Sequence, residues 1–184
     1  MTKKTDVKGK SNSISQQEWV LKAELRGNEN GGIYFRKNNS HLMHFILYSN
    51  TDNLKIYQEG SSWGYHTRSF TLADKYQKDI KYKIYRCSRA WLGNVPAVQN
   101  LNKGEFLITS INVCDGTWTV EPPFKLSNLD KNFYVSGHFE IPVNSSLSEA
   151  KTHGVWTGKI DTNTVEVAID SHCMDILNKS RMPH

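Results

Sequence analysis

His41 and His44 lie three residues apart and are the first place to look for metal chemistry. On a helix an H-x-x-H pair shares a face, whereas on a strand an offset of three turns the two imidazoles to opposite faces. The stretch they belong to, with the run Leu42 to Tyr48, reads as an apolar strand covered on both faces and central in its sheet, so no metal site is expected. His172 and Cys173 are adjacent and could supply a base and a nucleophile. In a strand or coil, however, neighbouring side chains point apart, and a catalytic pair needs a third group to orient it. An unpaired buried thiol is the expected state of Cys173. The chain contains no G-x-S-x-G, no G-x-x-x-x-G-K, no G-x-G-x-x-G and no H-E-x-x-H, and its acidic residues are scattered. A protein that is not an enzyme and carries no cofactor is the expectation.

Binding features are clearer. The net charge is +5 over 184 residues, and residues 1 to 10 hold Lys3, Lys4, Lys8 and Lys10 against Asp6, which is +3 of that excess. So short and apolar-poor a segment cannot bury enough surface to order itself. Residues 1–15 therefore read as a disordered basic arm, either simply solvated or facing an anionic partner, nucleic acid or membrane. A second feature is the segment from Arg86 to Val98, where Trp91, Leu92, Val95 and Val98 follow neither strand nor helix spacing and Gly93-Asn94 and Pro96 mark a loop. It is either a buried connection or an exposed apolar loop with Arg86 and Arg89 beside it, touching a membrane or another subunit.

Cys87, Cys114 and Cys173 are odd in number and widely spaced, which points to structural thiols in a reducing compartment, without disulfide or zinc. No apolar run approaches a membrane span and no hydrophobic segment follows the first lysines, so a secretory signal is not expected. The sequons at Asn38, Asn144 and Asn178 are then accidental.

These groups must be held by a sheet. From Phe133 to Val143 the odd positions Phe133, Val135, Gly137, Phe139, Ile141 and Val143 alternate with the mostly polar Tyr134, Ser136, His138, Glu140 and Pro142. Burying five such side chains contributes about 7 to 15 kcal/mol before entropy is counted. Trp19 to Arg26 alternates in the same way, Ile33 to Phe35 follows the turn Asn30-Gly31-Gly32, and Leu54 to Tyr57 is a further strand. Thr71, Asp74 and the spacing Leu72, Tyr76, Ile80 predict a short helix, followed by a strand from Ile80 to Ile84. Asp115-Gly116 predicts a hairpin between Glu105–Cys114 and Thr117–Val120, and Pro122-Pro123 ends it. A helical turn at Ser148 to Lys151 precedes a last pair of strands, Val155 to Ile160 and Val165 to Ile169, joined by a turn at Asp161-Thr162-Asn163. The fold class is mainly β, a sandwich or β-dominated α+β domain with one or two short helices. It is a single domain over residues 16–184 with eight or nine strands.

A lysine-rich N-terminus on a small α+β domain resembles the matrix proteins of rhabdoviruses, particularly the short ones of plant-infecting members. Tyr82-Lys83-Ile84 followed by an apolar loop ending Pro96-Ala97-Val98, and Pro122-Pro123 ahead of the Phe133 strand, are similarly ordered. The P-P-x-Y and P-[ST]-A-P motifs of animal-virus members are missing from this tail. The resemblance implies a virion protein in the host cytoplasm and at the inner membrane surface. Its partners would be the viral nucleocapsid or RNA, anionic membrane and further copies of itself. Two alternatives stand beside it. One is a jelly-roll coat protein of a small RNA virus; the other is a non-viral β-sandwich binding a small ligand or protein, with an aromatic pocket lined by Trp63, Tyr65 and Trp118.

If the arm is an electrostatic handle, deleting residues 1–10 should leave the thermal midpoint almost unchanged. The slope of log affinity for single-stranded RNA against log salt should then flatten by about 2 to 3, at ~0.7 for each phosphate that is no longer neutralised. A salt titration of parent and truncated chains checks this.

Overall fold

A computed structural model of the chain describes residues 19–27, 33–36, 42–77, 79–89, 96–125, 131–142 and 147–180. It is mostly β. The strands are β1 (Leu21–Arg26), β2 (Ile33–Phe35), β3 (Met43–Ser49), β4 (Leu54–Tyr57), β5 (Arg68–Asp74), β6 (Lys81–Arg86), β7 (Val98–Leu101), β8 (Phe106–Ile111), β9 (Trp118–Glu121) and β10 (Lys131–Ile141). Helix α1 (Leu147–His153), β11 (Gly158–Ile169) and helix α2 (Ser171–Lys179) follow. They form a six-stranded sheet in the order β2-β11-β10-β5-β6-β9, a three-stranded sheet β1-β3-β8 and a small pair β4-β7.

The alternation of β10 is obeyed: Phe133, Val135, Phe139 and Ile141 are buried on one face. Phe70 and Leu72 of β5, Tyr82 and Ile84 of β6, and Val167 and Ile169 of β11 continue that face across the sheet. Leu21, Ala23 and Leu25 of β1 and Met43, Phe45 and Leu47 of β3 oppose it. The two layers approach closely where a Cβ on Gly137 would lie 2.7 Å from Phe45 Cε2, so only glycine fits there. The β10–β11 register shifts between Ser136 and His138, a bulge that turns the Gly137 amide to Thr162 Oγ1 at 2.8 Å. As expected, β3 is central in its sheet, while Trp19 lies outside β1 and is half exposed.

Four expectations are corrected. Residues 71 to 80 form no helix, because the period-two set Arg68, Phe70, Leu72 is buried while Tyr76 and Ile80 remain exposed. Asp74 instead accepts hydrogen bonds from the amides of Tyr76 and Gln77, starting the turn that leads into β6. Asp115-Gly116 does turn the chain, with Gly116 at φ +80° and Asp115 accepting from Thr117, but β8 pairs with β3 and β9 with β6. It is a crossing between sheets, not a hairpin. Asp161-Thr162-Asn163 lies inside one continuous strand, β11, and no last hairpin exists. Finally, Cys114 and Cys173 are joined by a disulfide, and only Cys87 is a free, buried thiol.

That disulfide belongs to a helix the spacing does not reveal. Asp170 caps α2 by accepting from the Cys173 amide at 2.7 Å, and Cys173, Met174 and Leu177 pack inward. The bridge ties this helix to the β8–β9 crossing across 59 residues of sequence. The Cys87 thiol donates to the Ser180 carbonyl at the other end of α2. Two asparagines complete the closure. Asn163 accepts from the Leu25 amide at 2.7 Å and donates to the Leu25 carbonyl at 3.0 Å, and Asn178 does the same for Phe124 at 2.8 and 3.1 Å. The amide of the Asn178 sequon is thus engaged with the backbone. Asn38 and Asn144, the Asn30-Gly31-Gly32 turn and Val143 lie outside the described residues.

Reducing the bridge, or replacing Cys114 and Cys173 together by Ser, should destabilise the domain by about 2 to 5 kcal/mol. Thermal melts with and without a phosphine reductant test this, and thiol titration of the unreduced unfolded chain should find one reactive cysteine.

Candidate functional site: a cationic and aromatic cleft

Residues 58–67 fold back on themselves between β4 and β5. The hydroxyl of Ser61 donates to the Gln58 carbonyl and accepts from the Gly64 amide, while Thr67 Oγ1 donates to the Gly64 carbonyl. Gly64 has no room for a side chain, since a Cβ would fall 1.9 Å from the Gln58 carbonyl oxygen. This compact turn stands beside the outer face of β5, β6 and β10, and the space between them is a cleft of about 470 Å³. Its walls carry the rings of Tyr57, Trp63 and Tyr85, the cations Lys83 and Arg86, His66, the hydroxyls of Ser62, Thr67 and Ser69, and the Glu140 carboxylate.

Arg86 is the best-fixed group in it. Its guanidinium lies 4.1 Å from the Trp118 ring and 5.1 Å from Tyr65, bonds to Thr117 at 2.6 Å and pairs with Glu59 at 2.7 Å. Glu59 also approaches Arg68, whose Nη1 lies 3.9 Å away. Arg68 is 2% exposed and sits between Phe45 and Phe139, and its Nε and Nη2 have no hydrogen-bond partner among the described residues. Burial pushes its guanidinium below the ordinary arginine value, the Glu59 carboxylate opposing that shift. His66 is also lowered, first by burial and then by Arg86, which favours the neutral imidazole. Lys83, Arg86 and Arg68 stand against Glu59, Glu140 and Glu121, the last opposite Lys83 in register and bonded to Tyr85, so cations and carboxylates balance around the cleft. Rings for stacking and cations for phosphates, set on a sheet face, suit a flexible, ring-bearing anion.

A second polar cluster lies on the same outer face. Thr71 Oγ1 is 2.7 Å from His138 Nε2, and His138 Nδ1 is 2.6 Å from Asp161 Oδ1. The order hydroxyl, imidazole, carboxylate is that of a nucleophilic triad. Acyl transfer also needs N–H donors for the developing oxyanion, and the nearby Gly137 amide is given to Thr162 Oγ1. The three side chains link β5, β10 and β11 across the outer face. Sequence reading misses it because its members come from three strands and meet only once the register is known.

The residues singled out from sequence divide. Arg86 lines the cleft, Arg89 is exposed, and Val98 begins β7 opposite Tyr57. Of the three pocket aromatics, Trp63 lines the cleft while Tyr65 and Trp118 are buried behind Arg86. Cys173 is bridged and His172 points to solvent on α2, so they form no catalytic pair. His44 bonds to Ser110 on the outer face of β3. Lys3, Lys4, Lys8, Lys10, His41, Trp91, Leu92 and Val95 lie outside the described residues. Among those described, no cluster of three His, Cys, Asp or Glu could hold a metal, and no helix is long and apolar enough to cross a membrane. Compared with protein-family models, with curated proteins and with solved structures, the chain matched none.

The Asp161 carboxyl is held below the usual carboxylate range, chiefly by its bond to His138. A depressed carboxylate stabilises the fold above its unfolded value of ~3.9 and loses that contribution as pH falls through the lower folded value. Asp161 is 61% exposed, so Asp161→Asn should cost at most ~1 kcal/mol near neutral pH. The difference from the parent should vanish in acid, as chemical denaturation across pH can show.

Proposed function

We propose that this chain is a non-enzymatic structural protein of the matrix type, which holds single-stranded RNA of a ribonucleoprotein, associates with itself and bridges to an anionic membrane. The observation that supports it is the cleft, where the Arg86 and Lys83 cations stand with the rings of Trp63 and Tyr85. Bases stack on rings without regard to sequence, and cations follow the phosphates, so such a surface suits a condenser of RNA rather than a reader of it. Lys3, Lys4, Lys8 and Lys10 extend the positive surface along the strand or reach lipid headgroups, at ~1 kcal/mol for each lysine near anionic lipid. In this reading Arg89, Trp91 and Leu92 supply the further membrane contact, and the protein belongs to the virion and to the cytoplasmic side of the host membrane.

The cleft volume also falls within the ~300 to 1,000 Å³ of small-molecule sites, which favours as a second reading a binding module for a nucleotide-sized anion. A coat protein of jelly-roll type fits less well, because the strands divide six, three and two instead of into two Greek-key sheets.

Fluorescence anisotropy with oligouridylate of increasing length separates these. An RNA surface gains affinity with length, while a small-ligand pocket is saturated by a single nucleotide. Lys83→Gln should flatten the log affinity against log salt slope by about 0.7, and Tyr85→Ala should cost ~1 to 3 kcal/mol of RNA binding. Parent-like binding by both variants would overturn the assignment to this cleft.

A further inference from the structure

We infer that β8 is the edge through which two copies of this chain join, by antiparallel pairing of β8 with itself. The inference deepens the self-association named above, but its evidence is separate from the cleft. Among the described residues β8 pairs only with β3, which leaves its other side open. Two of the other edges are visibly protected: β1 is stitched at Leu25 by Asn163, and β9 runs into Pro122-Pro123 and is covered by α2, whose Leu177 carbonyl accepts from Thr119. Strands at open edges are ordinarily blunted by lysine, proline or a bulge. Phe106 to Ile111, F-L-I-T-S-I, has none of these, and Phe106 is 58% and Ile108 50% exposed.

The occupant follows from which backbone groups are free. The Ser49 amide donates to the Glu105 carbonyl, so Glu105 faces β3, and by alternation Leu107, Thr109 and Ile111 do too. Phe106, Ile108 and Ser110 therefore turn their N–H and C=O groups to the open side. A two-fold axis through Ile108 sets Phe106 opposite Ser110 of the second copy and Ile108 opposite Ile108. All three residues then exchange both bonds, and a self-complementary register of this kind is what a two-fold interface requires. The side chains agree. Phe106 leans on Tyr48, with ring centroids 6.2 Å apart, and Ile46 lies beside Ile108, so pairing would bury an apolar centre. The charges Lys22, Glu24 and Arg26 sit on β1 at the far rim, an apolar-core and polar-rim arrangement. A six-residue edge is about 20 Å long and buries well below the ~800 Å² per partner of a stable interface. The contact is consequently weak and concentration-dependent.

The test uses the full chain without RNA or lipid. Sedimentation velocity over a concentration series should show reversible dimers. Ile108→Pro, which removes an outward N–H and leaves the β3 ladder intact, and Ile108→Lys, which adds an edge charge, should each weaken association about tenfold or more. Their thermal midpoints should stay near the parent's. Hydrogen exchange on the parent needs no variant: the amides of Phe106, Ile108 and Ser110 should slow as protein concentration rises, while those of Leu107 and Thr109 should not change. A parent that stays monomeric throughout, association unaffected in both variants, or exchange independent of concentration would overturn the inference. RNA binding by monomeric Ile108→Lys keeps the two readings apart, since it should match the parent whichever way association falls.

Discussion

The Phe45 ring of β3 lies against the bare backbone of Gly137 in β10, a close approach of the two main sheets that depends on the missing side chain. A methyl group at that point would meet the ring at 2.7 Å, and residues on both sheets would have to separate to admit it. With the sheets this close, β10 must bend. The bulge beside Gly137 absorbs the bend and hands one amide to Thr162 in place of a ladder partner. The same bend carries β10 past Phe139 to Glu140 and Pro142, which become one wall of the cleft. The close approach at Gly137 and the cleft wall that begins at Glu140 are neighbouring stretches of one strand.

Charge placement at the cleft obeys a different constraint. Two guanidinium groups enter a region of aromatic rings, where a charge without compensation is costly. Arg86 meets that cost with a carboxylate, a hydroxyl and two ring faces, and so becomes a rigid, oriented cation. Arg68 has two phenyl rings, a distant carboxylate and one long bond to Thr67. Glu59 serves both, so the turn that carries it is held down by electrostatics as well as by its own hydrogen bonds. Lys83 approaches the Tyr85 ring and stands opposite Glu121 in the β6–β9 register.

What can be read from sequence is what depends on neighbours in the chain. β1, β2, β3, β4, β6 and β10 follow from alternation or from an apolar run, because burial of a strand face is written at period two. The segment after Thr71 misleads because Leu72, Tyr76 and Ile80 fall on a helical stripe by coincidence, and pairing with β10 and β6 on both sides outweighs one local cap. Asp115-Gly116 points to a hairpin, yet Val113 is buried and Cys114 bridged between the strands, too much structure for a two-residue loop. The disulfide is illegible because its halves lie 59 residues apart. The cleft is only partly visible for the same reason. Trp63 and Arg86 stand out separately in the sequence, and only the fold places them on one wall.

The two asparagine stitches carry a chemical consequence of their own. Each side-chain amide imitates a peptide group, giving one N–H and one C=O to the backbone of a single residue, Leu25 or Phe124. Hydrolysis of that amide to a carboxylate, the ordinary ageing reaction of asparagine, would keep the acceptor and delete the donor. At Asn163 it would set a negative charge against the Leu25 carbonyl, and at Asn178 against that of Phe124. The first would loosen the seam between the sheets and the second the mooring of the last helix. One mass unit of chemical damage at either position is thus aimed at a junction between layers rather than at a surface that could absorb it.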